Sequence, residues 1–155
     1  MLRKLNVLTV AVAAAAAPLG AVPNAIADSS VRTQSGNTRC EVTPSTVVCQ
    51  YLPGFSQAPV EPGLKCPPPP GTSLRCGGPG IHWDLAVVTS AGSFRWDNGN
   101  IPGTPQATAS DVILNYGQTY HLQSWTIIPN EDGTRFTNDG TGHGMFVSID
   151  NVSSF

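Results

Sequence analysis

The sequence is poor in charge, in lysine and in long apolar runs. Charged residues make up 12% of its 155 positions, against roughly 25% in ordinary globular chains. That scarcity excludes a charge-rich disordered tail and a long solvent-exposed helix. Lysine occurs only at Lys4 and Lys65, and no basic cluster stands anywhere. Nucleic-acid binders neutralise phosphates with clustered Lys and Arg, and polybasic membrane patches use the same residues. Both classes are therefore set aside. Beyond residue 27 no segment sustains a 3.6-residue apolar period, because Gly, Pro, Asn and Asp interrupt it. A Gly-x-Ser-x-Gly nucleophile elbow is missing, and so are the close Cys-x2–4-Cys pairs that zinc sites prefer.

What is present begins with an N-terminal leader. Arg3 and Lys4 precede an apolar run from Val7 to Ala17, and Ala25-Ile26-Ala27 closes the segment. Charged, apolar and small residues in that order are the pattern of a secretory signal peptide. Cleavage is expected between Ala27 and Asp28. The run is shorter than the ~20 apolar residues of a spanning helix, so the mature protein is expected to have no membrane span. Residues 28–155 then form a single secreted domain. The leader carries two of the eight basic residues and none of the ten acidic ones, so the mature net charge falls to −4.

Four cysteines follow: Cys40, Cys49, Cys66 and Cys76. An even count in an exported chain argues for disulfides, with three possible pairings. Residues 38–51 read as two short strands around Thr43-Pro44-Ser45-Thr46. Pairing Thr43 with Thr46 sets Val42 opposite Val47 and Cys40 opposite Cys49. Directly opposed strand residues have Cβ atoms about 4.5–5.5 Å apart, near what a disulfide needs. That register favours Cys40–Cys49 and leaves Cys66–Cys76 to close a loop around Pro67-Pro68-Pro69-Pro70. Consecutive prolines lack N–H donors and form a stiff, extended segment. The loop belongs to a Pro/Gly-rich connection, residues 53–80, which holds eight prolines.

The rest reads as short strands. Ile81, Trp83, Leu85 and Val87 alternate with His82, Asp84 and Ala86, and the first set is expected to face the core. Phe94 and Trp96 share a face of the next strand, and residues 101–110 are expected to be loop. Residues 112–114, 119–128 and 134–137 read as strands between turns at 115–117, 130–133 and 138–142. Met145, Val147 and Ile149 share one face of a last strand. Short strands about ten residues apart indicate an all-β fold, a small antiparallel β-sandwich or barrel stapled by disulfides.

Candidate chemistry is sparse. His82 and Asp84 lie two apart, so a strand places both on one face. They could act as a His–carboxylate pair or as two metal ligands. The same spacing suits a solvent-exposed face, and a third ligand, His121 or His143, would have to converge from elsewhere. His143 stands between Gly142 and Gly144, where a catalytic histidine or a simple turn would both fit. No catalytic residue, metal or cofactor is assigned on these grounds. The alternative to a non-catalytic domain is a small extracellular hydrolase using His143 or the His82/Asp84 pair. Among the aromatics, alternation points Trp83 and Trp96 to the core. Tyr116, at a turn, and Trp125 are the candidate binding residues, able to stack on sugar rings of the envelope if exposed. The partner is an unidentified extracellular or cell-envelope ligand.

Two stretches carry a family resemblance. Ser35-Gly36-Asn37-Thr38-Arg39-Cys40 with Val47-Val48-Cys49-Gln50 opens the mature chain. Tyr116-Gly117-Gln118 and Gly142-His143-Gly144-Met145-Phe146 stand near its end. In order and spacing these resemble a family of small exported actinobacterial (mycobacterial-type) proteins of unknown function. The resemblance implies export, disulfides and a β domain, and adds no catalytic residue. Gln34 replaces the family's usual Pro and Thr38 its Ile. A second cysteine pair, expected near Thr126 and Phe136, is missing, so Trp125, Ile127 and Phe136 are expected to hold the last hairpin by packing.

Overall fold

A computed structural model describes residues 28–61 and 81–155. The proposed leader, the Cys66–Cys76 pair and residues 62–80 of the connection lie outside the described residues. The elements are β1 (Ser29–Thr33), β2 (Arg39–Val42), β3 (Thr46–Gln50), β4 (Leu85–Thr89), β5 (Phe94–Asp97), a helical turn α1 (Pro105–Thr108), β6 (Val112–Leu114), β7 (Tyr120–Leu122), β8 (Trp125–Asn130), β9 (Gly133–Asn138), β10 (Gly144–Val147) and β11 (Val152–Ser154). They form two sheets, ordered β5-β4-β3-β2-β1-β6 and β11-β10-β9-β8-β7. All neighbours are antiparallel except β1 and β6. The second sheet is a simple meander. The fold is all-β, as expected, and its core lies between the two sheets.

Period-two alternation builds that core. The first sheet contributes Val31, Cys40, Val42, Val47, Cys49, Ala86, Val88 and Leu114, and the second Trp125, Ile127, Phe136, Met145 and Val147. Cys40 stands opposite Cys49 and is joined to it by a disulfide. The turn beyond is shaped by Thr43, whose Oγ1 accepts the amides of Ser45 at 3.3 Å and Thr46 at 3.0 Å. Trp125 is fully buried, and its Nε1 donates to the Thr43 carbonyl at 2.8 Å. That bond runs from one sheet to the other and satisfies the indole's only polar atom. Trp125 is therefore core, and its expected role as an exposed binding residue is corrected.

Other expectations shift for identifiable reasons. In β4 the phase is reversed: Ala86 and Val88 enter the main core, while Leu85 and Val87 form a second cluster with Ile101. Ala86 pairs with Trp96, so a small residue stands beside a large ring. Both faces of this strand are covered, which erases the alternation that would reveal its phase. Asp84 is 3% exposed, buried rather than on a solvent face. The stretch 119–128 is two strands, because Gln123 and Ser124 take φ of +52° and +71°. Such tight hairpin turns normally announce themselves with Asn or Gly. Here the Ser124 carbonyl is held by the Asp139 amide at 2.9 Å and the Asn138 Nδ2 at 3.2 Å. Ile149 lies exposed in the turn between β10 and β11, outside the core.

The cover over Leu85 and Val87 is a strap, residues 98–111. It leaves β5 at one edge of the first sheet and enters β6 at the other. Five strand spacings separate those edges, roughly 24 Å. Two polar anchors hold the strap. Gln50 donates to Asp84 at 2.7 Å and to the Gly99 carbonyl at 3.0 Å, and accepts the Ile101 amide at 3.0 Å. Asp84 accepts the Gly99 amide at 3.2 Å. Arg39 makes a two-pronged pair with Asp111, Nε at 2.7 Å and Nη2 at 2.8 Å, and donates to the Pro102 and Ala107 carbonyls. Within the strap, Thr104 caps α1 by accepting the Ala107 amide at 3.2 Å, with Pro105 in the first turn.

The Asp111 side chain is wholly buried and that of Arg39 is 14% exposed. Hydrogen bonding to Asp111 raises the Arg39 pKa above its ordinary value, outweighing the opposing effect of burial. Removing one partner strands the other charge, a loss of about 3 kcal/mol for a buried pair. Asp111→Asn is expected to destabilise the fold by about that much, read as a lower urea midpoint. An unchanged midpoint would show that the strap does not depend on this pair.

Candidate functional site

Four turns meet at one end of the sandwich: β1–β2, β6–β7, β8–β9 and β10–β11. Between them lies a cleft of about 290 Å³, lined by Thr33, Ser35, Asn37, Tyr116, Asn130, Glu131, Asp132, Thr134, Ser148 and Asp150 among others. Each turn has a local cause. Gly36, at φ +75°, donates its amide to the Thr33 carbonyl at 2.9 Å. The Asn130–Gly133 register leaves Glu131 and Asp132 at the hairpin tip. Gly133 takes φ +150°, and a Cβ there would lie 2.3 Å from the Phe146 ring. Ser148 Oγ accepts the amides of Asp150 at 3.3 Å and Asn151 at 3.0 Å, which folds the last turn.

Tyr116 is half-buried and its backbone is tied on several sides. Its amide donates to Gln34 Oε1 at 3.0 Å. The Gln34 amide in turn donates to the Leu114 carbonyl at 3.1 Å, and the Gly117 amide to the Pro129 carbonyl at 3.0 Å. Tyr120 Oη accepts the Asn115 amide at 2.9 Å and donates to the Ile113 carbonyl at 3.0 Å. Gln34 thus works through both its backbone and its side chain. A proline there would supply neither the amide donor nor the side-chain acceptor.

The cleft is chemically one-sided. Glu131, Asp132 and Asp150 bring three carboxylates, and none forms an ion pair among the described residues. Its lining holds no Lys, Arg, His or Cys. Hydroxyls and side-chain amides supply the remaining polar groups. Such a surface accepts hydrogen bonds from hydroxyl or ammonium groups and repels anions. It offers no imidazole to activate a nucleophile.

The expected catalytic candidates lie elsewhere and apart. The His82 Nδ1 is 2.7 Å from the Ala58 carbonyl, and Asp84 is engaged by Gln50 and Gly99, with no bond between the two side chains. Asp84 thus anchors the strap. His143 is exposed, with Nδ1 3.3 Å from the Phe155 carbonyl. The His121 Nδ1 is 3.1 Å from Thr126 Oγ1, which donates to Asp139 at 2.6 Å. The Thr126 proton points to the carboxylate, so the imidazole is not its base, unlike a hydrolase triad. Among the described residues no three His, Cys, Asp or Glu side chains gather as a metal site.

Of the two expected binding residues, the structure brings Tyr116 to the cleft and buries Trp125. Gln34, Asn37, Glu131, Asp132 and Asp150 escaped the sequence reading as site residues. Their turns were legible, but which turns share an end follows only from the topology. Gln34→Ala is expected to speed amide exchange at Tyr116 about fivefold, matching the loss of one hydrogen bond worth roughly 1 kcal/mol, with little change in global stability. Unchanged exchange at Tyr116 would show that Gln34 does not hold the turn. The side chains of the cleft stand as the guide to its chemistry, since no family model, curated protein or solved structure matches the chain.

Proposed function

We propose that the chain is an exported, non-catalytic β-sandwich module of the extracellular space or cell envelope. In this reading residues 1–27 are removed as a leader and the Tyr116 cleft holds an uncharged, hydroxyl-rich ligand such as a saccharide. The leader pattern, the Cys40–Cys49 disulfide and the resemblance to small exported actinobacterial proteins support export. No helix among the described residues is long and apolar enough to cross a membrane.

One observation carries the ligand class. Tyr116 lines a cleft whose unpaired carboxylates, hydroxyls and amides leave out every cationic side chain. Carboxylates accept strong, charge-assisted hydrogen bonds from hydroxyl groups. A tyrosine ring offers an apolar face with a polar tip, suited to the mixed surface of a sugar ring. The volume of about 290 Å³ sits at the small end of ligand pockets, room for a short saccharide segment.

Two measurements test the reading. Intact-mass analysis of the exported protein is expected to give Asp28 as the first residue and no free thiol. Another N-terminus or four free thiols would overturn the processing scheme. On a glycan array the exported protein is expected to retain a neutral saccharide, with Tyr116→Ala and Asp132→Asn each weakening retention about tenfold, the scale of a central binding residue. Retention untouched by both changes would overturn the cleft. Hydrolysis of the retained saccharide, lost in His143→Ala, would favour the enzyme reading instead.

A further inference from the structure

A second cleft lies on the other side of the Ser35–Asn37 turn, between the strap and the outer face of β1 and β2. Its volume is about 230 Å³, and its lining includes Arg32, Asn37, Leu52, Asn100, Ile101 and Thr108. Asn37 lines both clefts. No carboxylate lines this one.

Its charge arrangement is unfavourable as it stands. Arg32 and Arg39 are direct cross-strand partners on β1 and β2. Like charges so opposed destabilise a sheet. Arg39 is compensated by Asp111 and by carbonyls of the strap. Arg32 makes no ion pair or side-chain hydrogen bond among the described residues. Glu41, on the same face of β2 as Arg39, does not line the cleft. An exposed guanidinium therefore stands beside a second one, in a chain that has very few cations.

The apolar side is uncovered at Leu52. Leu52 is 52% exposed, more than any other large hydrophobic residue described. It shares the cleft with Ile101, which closes the second apolar cluster beneath the strap. Arg32 and Leu52 thus face one space, Arg32 without an ion pair among the described residues and Leu52 half exposed, above the buried Ile101.

We propose that this cleft binds a small amphiphilic carboxylate, an apolar body bearing one anionic head. The Arg32 fork takes the two carboxylate oxygens, the geometry in which a guanidinium binds best. Asn37, Asn100 and Thr108 supply further polar contacts at the head, while Leu52 and Ile101 cover the body. The site is separate from the Tyr116 cleft, whose three carboxylates would repel such a ligand.

Octanoate is the probe, titrated calorimetrically into the exported chain beside octanamide and inorganic phosphate. Octanoate is expected to bind, with octanamide and phosphate at least about tenfold weaker, since octanamide lacks the anionic head that Arg32 meets and phosphate lacks the apolar body that Leu52 covers. Arg32→Gln is expected to weaken octanoate about tenfold and Leu52→Asn severalfold. Tyr116→Ala is expected to leave octanoate binding unchanged, which separates this site from the saccharide reading. No binding of octanoate, equal binding of octanamide, phosphate binding as tightly as octanoate, or an Arg32→Gln protein that binds like the parent would each overturn the proposal. Arg32 is exposed, so its substitution leaves the core intact. Should that variant still fail to fold, Leu52→Asn decides: unchanged affinity there refutes the site.

Discussion

Arg39 stands on β2 with its guanidinium under residues 98–111, and the path of the chain depends on what it grips there. The first sheet is entered at β1, built outward to β5, and then completed at the opposite edge by β6. That requires a crossover over the outer face of the sheet. A crossover that joins no sheet has few backbone hydrogen bonds to hold it against the strands beneath, so side chains must fix its position. Arg39 meets this problem by donating to two strap carbonyls and locking onto Asp111, the residue immediately before β6. Gln50 and Asp84 do the same at the strap's other end. Once anchored, the strap buries Leu85 and Val87 and delivers β6 parallel to β1, from which the second meander starts.

The staples and the clefts overlap only in part. The Thr43 turn and the Trp125 indole bond hold the sheets at the end of β2 and β3 remote from the Ser35–Asn37 turn, while the Cys40–Cys49 disulfide lies nearer to it, next to the Arg39–Gln50 pair. Turns at the Ser35–Asn37 end carry charges that form no ion pair among the described residues. Three carboxylates line one side of the Ser35–Asn37 turn and a free guanidinium lines the other. Arg39 and Gln50, which anchor the strap, also line the second cleft, whereas the lining of the Tyr116 cleft includes none of these anchors.

How much of this was legible follows from particular residues. The Cys40–Cys49 register could be read because a turn with Pro44 and a two-residue period specify it together. The Asn130–Gly133 turn could be read from its glycine. The phase of β4 could not, because both of its faces are buried and Ala86 looks like a surface residue until Trp96 is placed beside it. The Gln123–Ser124 turn carries no Asn or Gly to mark its positive φ, and its support comes from Asn138 and Asp139 on another strand. Asp84 looked like half of a His–Asp pair. Its partner is Gln50, 34 residues away in sequence, and only the folded sheet joins them. For the site the turn at Tyr116 was visible, while the convergence of four turns on one cleft is a property of sheet order.

Gln34 shows what one residue at the exit of β1 contributes to the site. Proline at that position would stiffen the exit from β1, which stabilises chiefly by restricting the unfolded chain. Glutamine gives up that restriction and instead bridges two elements that meet only in the folded state. Its amide holds the Leu114 carbonyl and its side chain holds the Tyr116 amide. The parallel β1–β6 pair is three residues long, so its register has little else to define it. The bridge extends that pairing by one residue and points it at the cleft. Gln34 therefore couples the crossover anchored by Arg39 to the position of Tyr116, and so couples the fold's least local step to its candidate site.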